Sequence, residues 1–146
     1  TLPREFHANV LQALHRPVAR VRAGLGLRGL ASACIDISDG LVADLGHIVN
    51  ASKVGARIQL KHLPLSPAYD AAFKQVGWEP ALSGGDDYEL CFAIPPDREA
   101  AFRNAATDFG VSCSYIGDIE AEPGLRIIDE CGQLYQAPRA GYDHFR

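Results

Sequence analysis

Residues 33–41, Ala33-Cys34-Ile35-Asp36-Ile37-Ser38-Asp39-Gly40-Leu41, decide how the chain is laid out. An apolar run gives way to acids and a glycine where Leu41, Val42, Leu45, Ile48 and Val49 begin to recur at helical spacing. The stretch reads as a short buried strand over 34–37, a tight turn, and a helix running to about Lys53 with Gly55 placed to cap its C-terminus. Side chains two apart on a strand share a face, so Asp36 and Ser38 project together while Asp39 stands at the turn beside the helix start. Carboxylates, a hydroxyl and the backbone N–H groups of a helix N-terminus then meet in one place. That combination suits a hard cation such as Mg²⁺ bridging carboxylates to a phosphate. It also suits a plain N-cap, the usual duty of Ser or Asp before a helix.

Upstream, 3–15 carries Phe6, Val10, Ala13 and Leu14 on one stripe, an amphipathic helix closed by Pro17. Arg16, Arg20, Arg22 and Arg28 follow among small residues, as a solvated basic connection or a phosphate-facing stretch. Downstream, 57–61 alternates as a half-exposed strand ended by His62, and Ser66-Pro67 opens a helix that turns Tyr69, Ala72, Phe73 and Val76 inward as far as Gly77. Trp78 is expected in the core.

Residues 81–87 read as a polar loop in which Gly84-Gly85 allows close backbone approach and Asp86-Asp87 sets two carboxylates at a strand entrance. The strand, 88–94, has Tyr88, Leu90, Phe92 and Ile94 on its apolar face. A helix starts at Pro95-Pro96-Asp97 and buries Ala101, Phe102, Ala105 and Phe109 before Gly110 ends it. Then come a strand over 111–119, interrupted by Gly117, and a hairpin of 125–128 with 133–136 across Glu130-Cys131-Gly132. The aromatic tail, 140–146, lacks periodicity and is expected to fold back on the domain. Helices interleaved with strands and closed by a hairpin give an α/β chain of the α+β type: a layered α/β/α sandwich with a mixed sheet, one domain over 1–146.

With 146 residues, 47% hydrophobic and 22% charged, the chain has the makeup of one globular domain and not of a disordered segment. A net charge of −4 gives no reason to expect nucleic-acid binding and leaves an anionic substrate to be met by metal ions or a few arginines. The longest apolar run is far short of a membrane span and no signal peptide precedes the first helix, so no membrane partner is expected. Four widely spaced cysteines without a CxxC pair are expected to be reduced, mostly buried thiols of a cytoplasmic protein. No GxxxxGK[ST] cradle for phosphate occurs. Thr1 at the start and no Met anywhere suggest a piece of a longer protein.

Three segments, Asp36-x-Ser38-Asp39-Gly40-Leu41, Gly84-Gly85-Asp86-Asp87-Tyr88-Glu89-Leu90 and Gly141-Tyr142-Asp143-His144-Phe145, resemble in order the motifs of the thiamine-monophosphate kinase family. That family shares its C-terminal domain with aminoimidazole ribonucleotide synthetase. The resemblance spans 36–145 and implies the C-terminal half of a two-domain, homodimeric transferase of thiamine biosynthesis, whose N-terminal ATP and Mg²⁺ domain is absent here. Such an enzyme converts thiamine monophosphate and ATP to thiamine diphosphate by direct phosphoryl transfer, and the isolated C-terminal half would be inactive. By the same resemblance Asp36 and Asp39 would hold Mg²⁺, Ser38 would touch ATP, and Asp86 and Tyr142 would contact substrate.

Two positions depart from the pattern. Asp86 stands where the family has Glu, one methylene shorter, and Pro17-Val18-Ala19-Arg20 keeps only the first proline and the arginine of Pro-x-Pro-Arg. Another ATP-using synthetase of the same superfamily would share the architecture, although the Gly-Tyr-x-His-Phe ending argues against it. A non-catalytic ligand-binding or dimerisation module is the third class.

Overall fold

In the computed structural model, which describes residues 2–137, strand β1 (Ala33–Asp36) leads through a turn into helix α3 (Leu41–Ser52), as the hydrophobic pattern requires. Two further helices precede them, α1 (Arg4–His15) and α2 (Val21–Gly26). Helix α3 buries Leu41, Leu45 and Val49 against Ile37 of the turn and against Ala56 and Ile58 of β2 (Gly55–Gln59). Each such aliphatic side chain contributes about 1.5–3 kcal/mol, so this contact fixes the turn to the core. The helix ends on Lys53, which takes the left-handed conformation (φ 55°) itself. Gly55 does not cap it. That glycine begins β2, where a Cβ would lie 1.9 Å from the Glu122 carbonyl oxygen.

Two sheets flank this unit. β1 pairs antiparallel with β3 (Leu90–Ala93), Ile35 opposite Cys91 and Asp36 opposite Leu90. The second sheet is mixed: β2 lies between β4 (Gly117–Glu120), antiparallel, and β5 (Gly124–Ile128), parallel. Arg57 on β2 pairs with Asp118 and Glu120, and Arg126 on β5 pairs with Glu120, lacing the half-exposed face. The mixed α+β architecture is the one expected from the sequence.

Helices cover both sheets. α2 and α6 (Glu99–Ala106) close over Leu90, Phe92 and Ile94 through Ala23, Leu27 and Phe109. α4 (Pro67–Val76) starts on Ser66, whose hydroxyl accepts the Tyr69 N–H at 3.1 Å, and α5 (Glu79–Ser83) sinks Leu82 beside Leu60 and Ile127. Trp78 packs on that cluster, edge-on to Phe73 at 4.8 Å, as core side chains do. α1 forms as its stripe predicts, yet none of its residues is buried; Leu11 is 52% and Leu14 59% exposed.

Several expectations give way. Residues 79–83, read partly as loop, are helical because Pro80 sits in the first turn, where it is tolerated. The strand expected over 111–119 shrinks to β4: 111–116 are not strand, although the Ile116 carbonyl still accepts the Gln59 N–H of β2 at 2.9 Å; Gly117 lies within β4, where a Cβ would meet the Arg57 carbonyl oxygen at 2.0 Å. Tyr88 is exposed and leaves the apolar face of β3. The hairpin survives as a single bridge, Ile128 to Leu134, around a turn in which Asp129 Oδ1 accepts the N–H groups of Cys131 and Gln133. The cysteines are free but not mostly buried: Cys34, Cys113 and Cys131 are exposed and Cys91 is half-buried. Of the three exposed ones only Cys34 lies in a strand; Cys113 and Cys131 stand in irregular segments that form none. Among the described residues no helix is long and apolar enough to cross a membrane.

Candidate functional site

Asp36 ends β1 with its side chain exposed, and Ser38 and Asp39 follow, half-buried, in the turn. Gly40 turns the chain into α3 at φ 113°, a conformation that favours glycine, with Ser83 backbone only 2.9 Å from where a Cβ would sit. Neither Ser38 nor Asp39 caps the helix: the N-cap position is Gly40, without a side-chain bond. The turn is instead held by Asp44, a residue the sequence reading passed over. Its Oδ2 accepts the Ser38 N–H at 2.9 Å and the Asp39 N–H at 3.0 Å. A signal was present, because Asp44 interrupts the apolar series Leu41, Leu45, Ile48 at the i+3 position.

The second acidic segment is threaded along the first. Asp86 N–H donates to the Ser38 carbonyl (2.9 Å), Tyr88 N–H to the Ile37 carbonyl (2.8 Å), and Ile37 N–H to the Glu89 carbonyl (2.8 Å). Gly85 is needed here: a Cβ would stand 2.5 Å from the Ser38 carbonyl oxygen. Asp86 and Tyr88 both adopt positive φ, 67° and 52°, uncommon for residues other than glycine and a recurrent feature of ligand-contacting loops. The Tyr88 hydroxyl donates to Asp86 Oδ1 at 2.9 Å. That bond and the negative charge of Asp86 raise the Tyr88 pKa, with smaller contributions from Asp36 and Asp39.

The other side chains of this loop turn toward a cleft of about 580 Å³, lined by Leu41, Leu63, Tyr69 and Phe92 and by the polar groups of Arg20, Asp87 and Glu89. Arg20, which the sequence left between solvent and phosphate, forms a two-pronged ion pair with Glu89. Asp87 is exposed as a residue, yet desolvation of its carboxyl raises its pKa, with smaller contributions from Glu89 and Asp86. Cys91, also on the cleft, has its thiol pushed up to about 11 by burial and is no nucleophile at neutral pH. The run Gly24-Leu25-Gly26-Leu27-Arg28-Gly29 has dinucleotide-loop spacing but lies in and just after α2, ahead of β1, so no strand feeds it. Gly26 serves packing, its missing Cβ leaving room for the Phe109 ring.

The structure thus brings together Asp36, Ser38, Asp39 and Asp86; Tyr142 lies outside the described residues. Among the described residues no three His, Cys, Asp or Glu gather as a cage for a metal. Two exposed or half-buried carboxylates beside a hydroxyl nevertheless match what Mg²⁺ takes from a protein when water and phosphate oxygens complete its shell.

Comparison with known proteins adds three findings. The family model for "AIR synthase related protein, C-terminal domain" matches residues 7–130. Thiamine-monophosphate kinase of Salmonella typhimurium is 43% identical over 149 residues, covering 97% of this chain and 44% of that protein; the Escherichia coli K12 enzyme of the same name is 46% identical over 135 residues, covering 89% and 40%. The chain therefore spans less than half the length of these relatives. Among solved structures, AaThiL complexed with AMPPCP and TMP superposes with a TM-score of 0.78 at 32% identity over 98% of this chain and 43% of that one. Thiamine-monophosphate kinase from Stenotrophomonas maltophilia K279a gives 0.77 at 37% identity over 87% and 41%.

Proposed function

Because the chain belongs to the family of AIR synthase related proteins, as their C-terminal domain, we propose that it is the C-terminal half of an ATP-dependent kinase that converts thiamine monophosphate to thiamine diphosphate. The observation that carries the reading is the pair of backbone bonds from Asp86 to Ser38 and from Tyr88 to Ile37, which unite two acidic segments 50 residues apart in sequence into one surface. In this reading Asp36 and Asp39 hold Mg²⁺, Ser38 contacts ATP, and Asp86 contacts the phosphorylated substrate. When bound, the metal would supply positive charge that offsets the repulsion of the anionic phosphates. The chain's own work is positional. Asp44 fixes the turn, and the Tyr88 hydroxyl donates to the carboxylate of Asp86, whose backbone is held at positive φ.

Tyr142 belongs to the organic end of the substrate, where an aromatic face attracts a thiazolium cation. The partners are thiamine monophosphate, ATP, an N-terminal domain of the same polypeptide and a second copy of the whole protein, in the cytoplasm. The chemistry is direct in-line transfer, with no covalent enzyme intermediate. The test is thiamine diphosphate formation from thiamine monophosphate, ATP and Mg²⁺, comparing the longer polypeptide with the 146 residues alone. Turnover by the longer form and none by the 146 residues is expected; no turnover by the longer form would overturn the assignment, and equal turnover would overturn the division between two halves.

A further inference from the structure

We propose that Asp44 is the positioning residue of the acidic turn, fixing from inside the protein the backbone of Ser38 and Asp39 and thereby the direction in which Asp36, Ser38 and Asp39 present their oxygens. Asp44 is the buried charged residue among those described, at 3% exposure, and no ion pair reaches it there. A carboxylate in such a place requires hydrogen bonds, and it finds them in two backbone N–H groups of the turn. Backbone donors cannot swing aside as side chains do, so satisfying the carboxylate and shaping the turn are the same event.

The location is favourable as well. Asp44 stands in the first turn of α3, at the positive end of the helix, and its own N–H donates to the Gly40 carbonyl at 3.0 Å. With Gly40 offering no side chain for capping, Asp44 reaches back past it and ties helix, glycine and turn into one ring. Two consequences follow for a ligand. The N–H groups of Ser38 and Asp39 are already engaged, so the turn offers a ligand side-chain oxygens, which suits a cation, and withholds the N–H groups that would cradle a phosphate. And since the Ser38 carbonyl accepts the Asp86 N–H, the same clamp sets the register of the second acidic segment.

This inference rests on reading the turn as the metal-holding part of a kinase, and the experiment separates the two. Mn²⁺, standing in for Mg²⁺, is titrated by electron paramagnetic resonance into the longer polypeptide, its Asp36→Asn variant, and Asp44→Asn and Asp44→Leu variants shown folded by circular dichroism. The site that Asp36→Asn removes should weaken by about tenfold or more in both Asp44 variants, the range seen when partners behind metal ligands are lost. Folded Asp44 variants with unchanged Mn²⁺ affinity would overturn the proposal and leave Asp44 a structural residue. If Asp36→Asn removes no Mn²⁺ site, the metal reading fails by itself. The clamp is then judged by amide exchange in the wild-type longer polypeptide, which also decides if the Asp44 variants do not fold: strong protection at Ser38 and Asp39 upholds it, and exchange at exposed-amide rates overturns it.

Discussion

Residues 36–44 keep their acids in place with a buried carboxylate and a helix that sinks Leu41, Leu45 and Val49 into the core, whereas residues 85–89 are all exposed and include two non-glycine positions at positive φ. The first segment is anchored by burial and the second by the first, through the bonds from Asp86 and Tyr88 to carbonyls of the turn. A change that loosens the turn should disturb both segments, while a change confined to 85–89 should leave the turn intact.

The largest expected effect comes from the anchored segment. Asp36→Asn in the longer polypeptide removes a charge without removing shape, and should lower kcat by about 100-fold or more at an almost unchanged melting temperature, because the side chain is exposed. Steady-state kinetics beside a thermal melt check this; a lower melting temperature with normal kcat per folded molecule would make Asp36 structural. Next comes the contact between segments. Gly85→Ala pushes a methyl group against the Ser38 carbonyl oxygen, 2.5 Å from the new Cβ, and should cost about 1–3 kcal/mol in a denaturant titration while raising KM for thiamine monophosphate.

The smallest effect has the opposite sign and serves as a control on the same helix as Asp44. Gly46 lies within α3 and a Cβ there meets nothing within 4 Å, so Gly46→Ala should stabilise the chain by about 0.5–1 kcal/mol and leave both acidic segments unaltered. A destabilised Gly46→Ala variant would mean that α3 is crowded where the structure shows space.

Much of this arrangement is legible in the sequence, for a physical reason. Hydrophobic periodicity reports which side chains face the core, and β1, α3, α4 and α6 stand where the spacing of apolar residues put them, with shifts at their ends; of the four only α3 holds buried residues, and β1, read as a buried strand, is exposed at Cys34 and Asp36. The acids of the turn stand out because they break that pattern. What stayed hidden depends on long-range contacts. Whether Ser38 and Asp39 cap α3 was settled by Asp44, an acid on the apolar stripe whose role appears only once the turn has folded back over it. Arg20 could not be told from a free cation until Glu89, 69 residues on, was seen beside it. The short helix α5 spans too few residues to show a period, and Cys113 and Cys131 are exposed because the segments that carry them form no strand.

If the turn and the loop form one site, their acids are coupled, and a double-mutant cycle decides it. Asp36→Asn, Asp86→Asn and the double variant, each verified as folded in the longer polypeptide, are compared by kcat/KM for thiamine monophosphate. Groups that serve the same bound phosphates should be coupled, so the loss in the double variant should fall short of the product of the single losses by about threefold or more. A double loss equal to that product would show that Asp36 and Asp86 act independently, and would contradict a shared site.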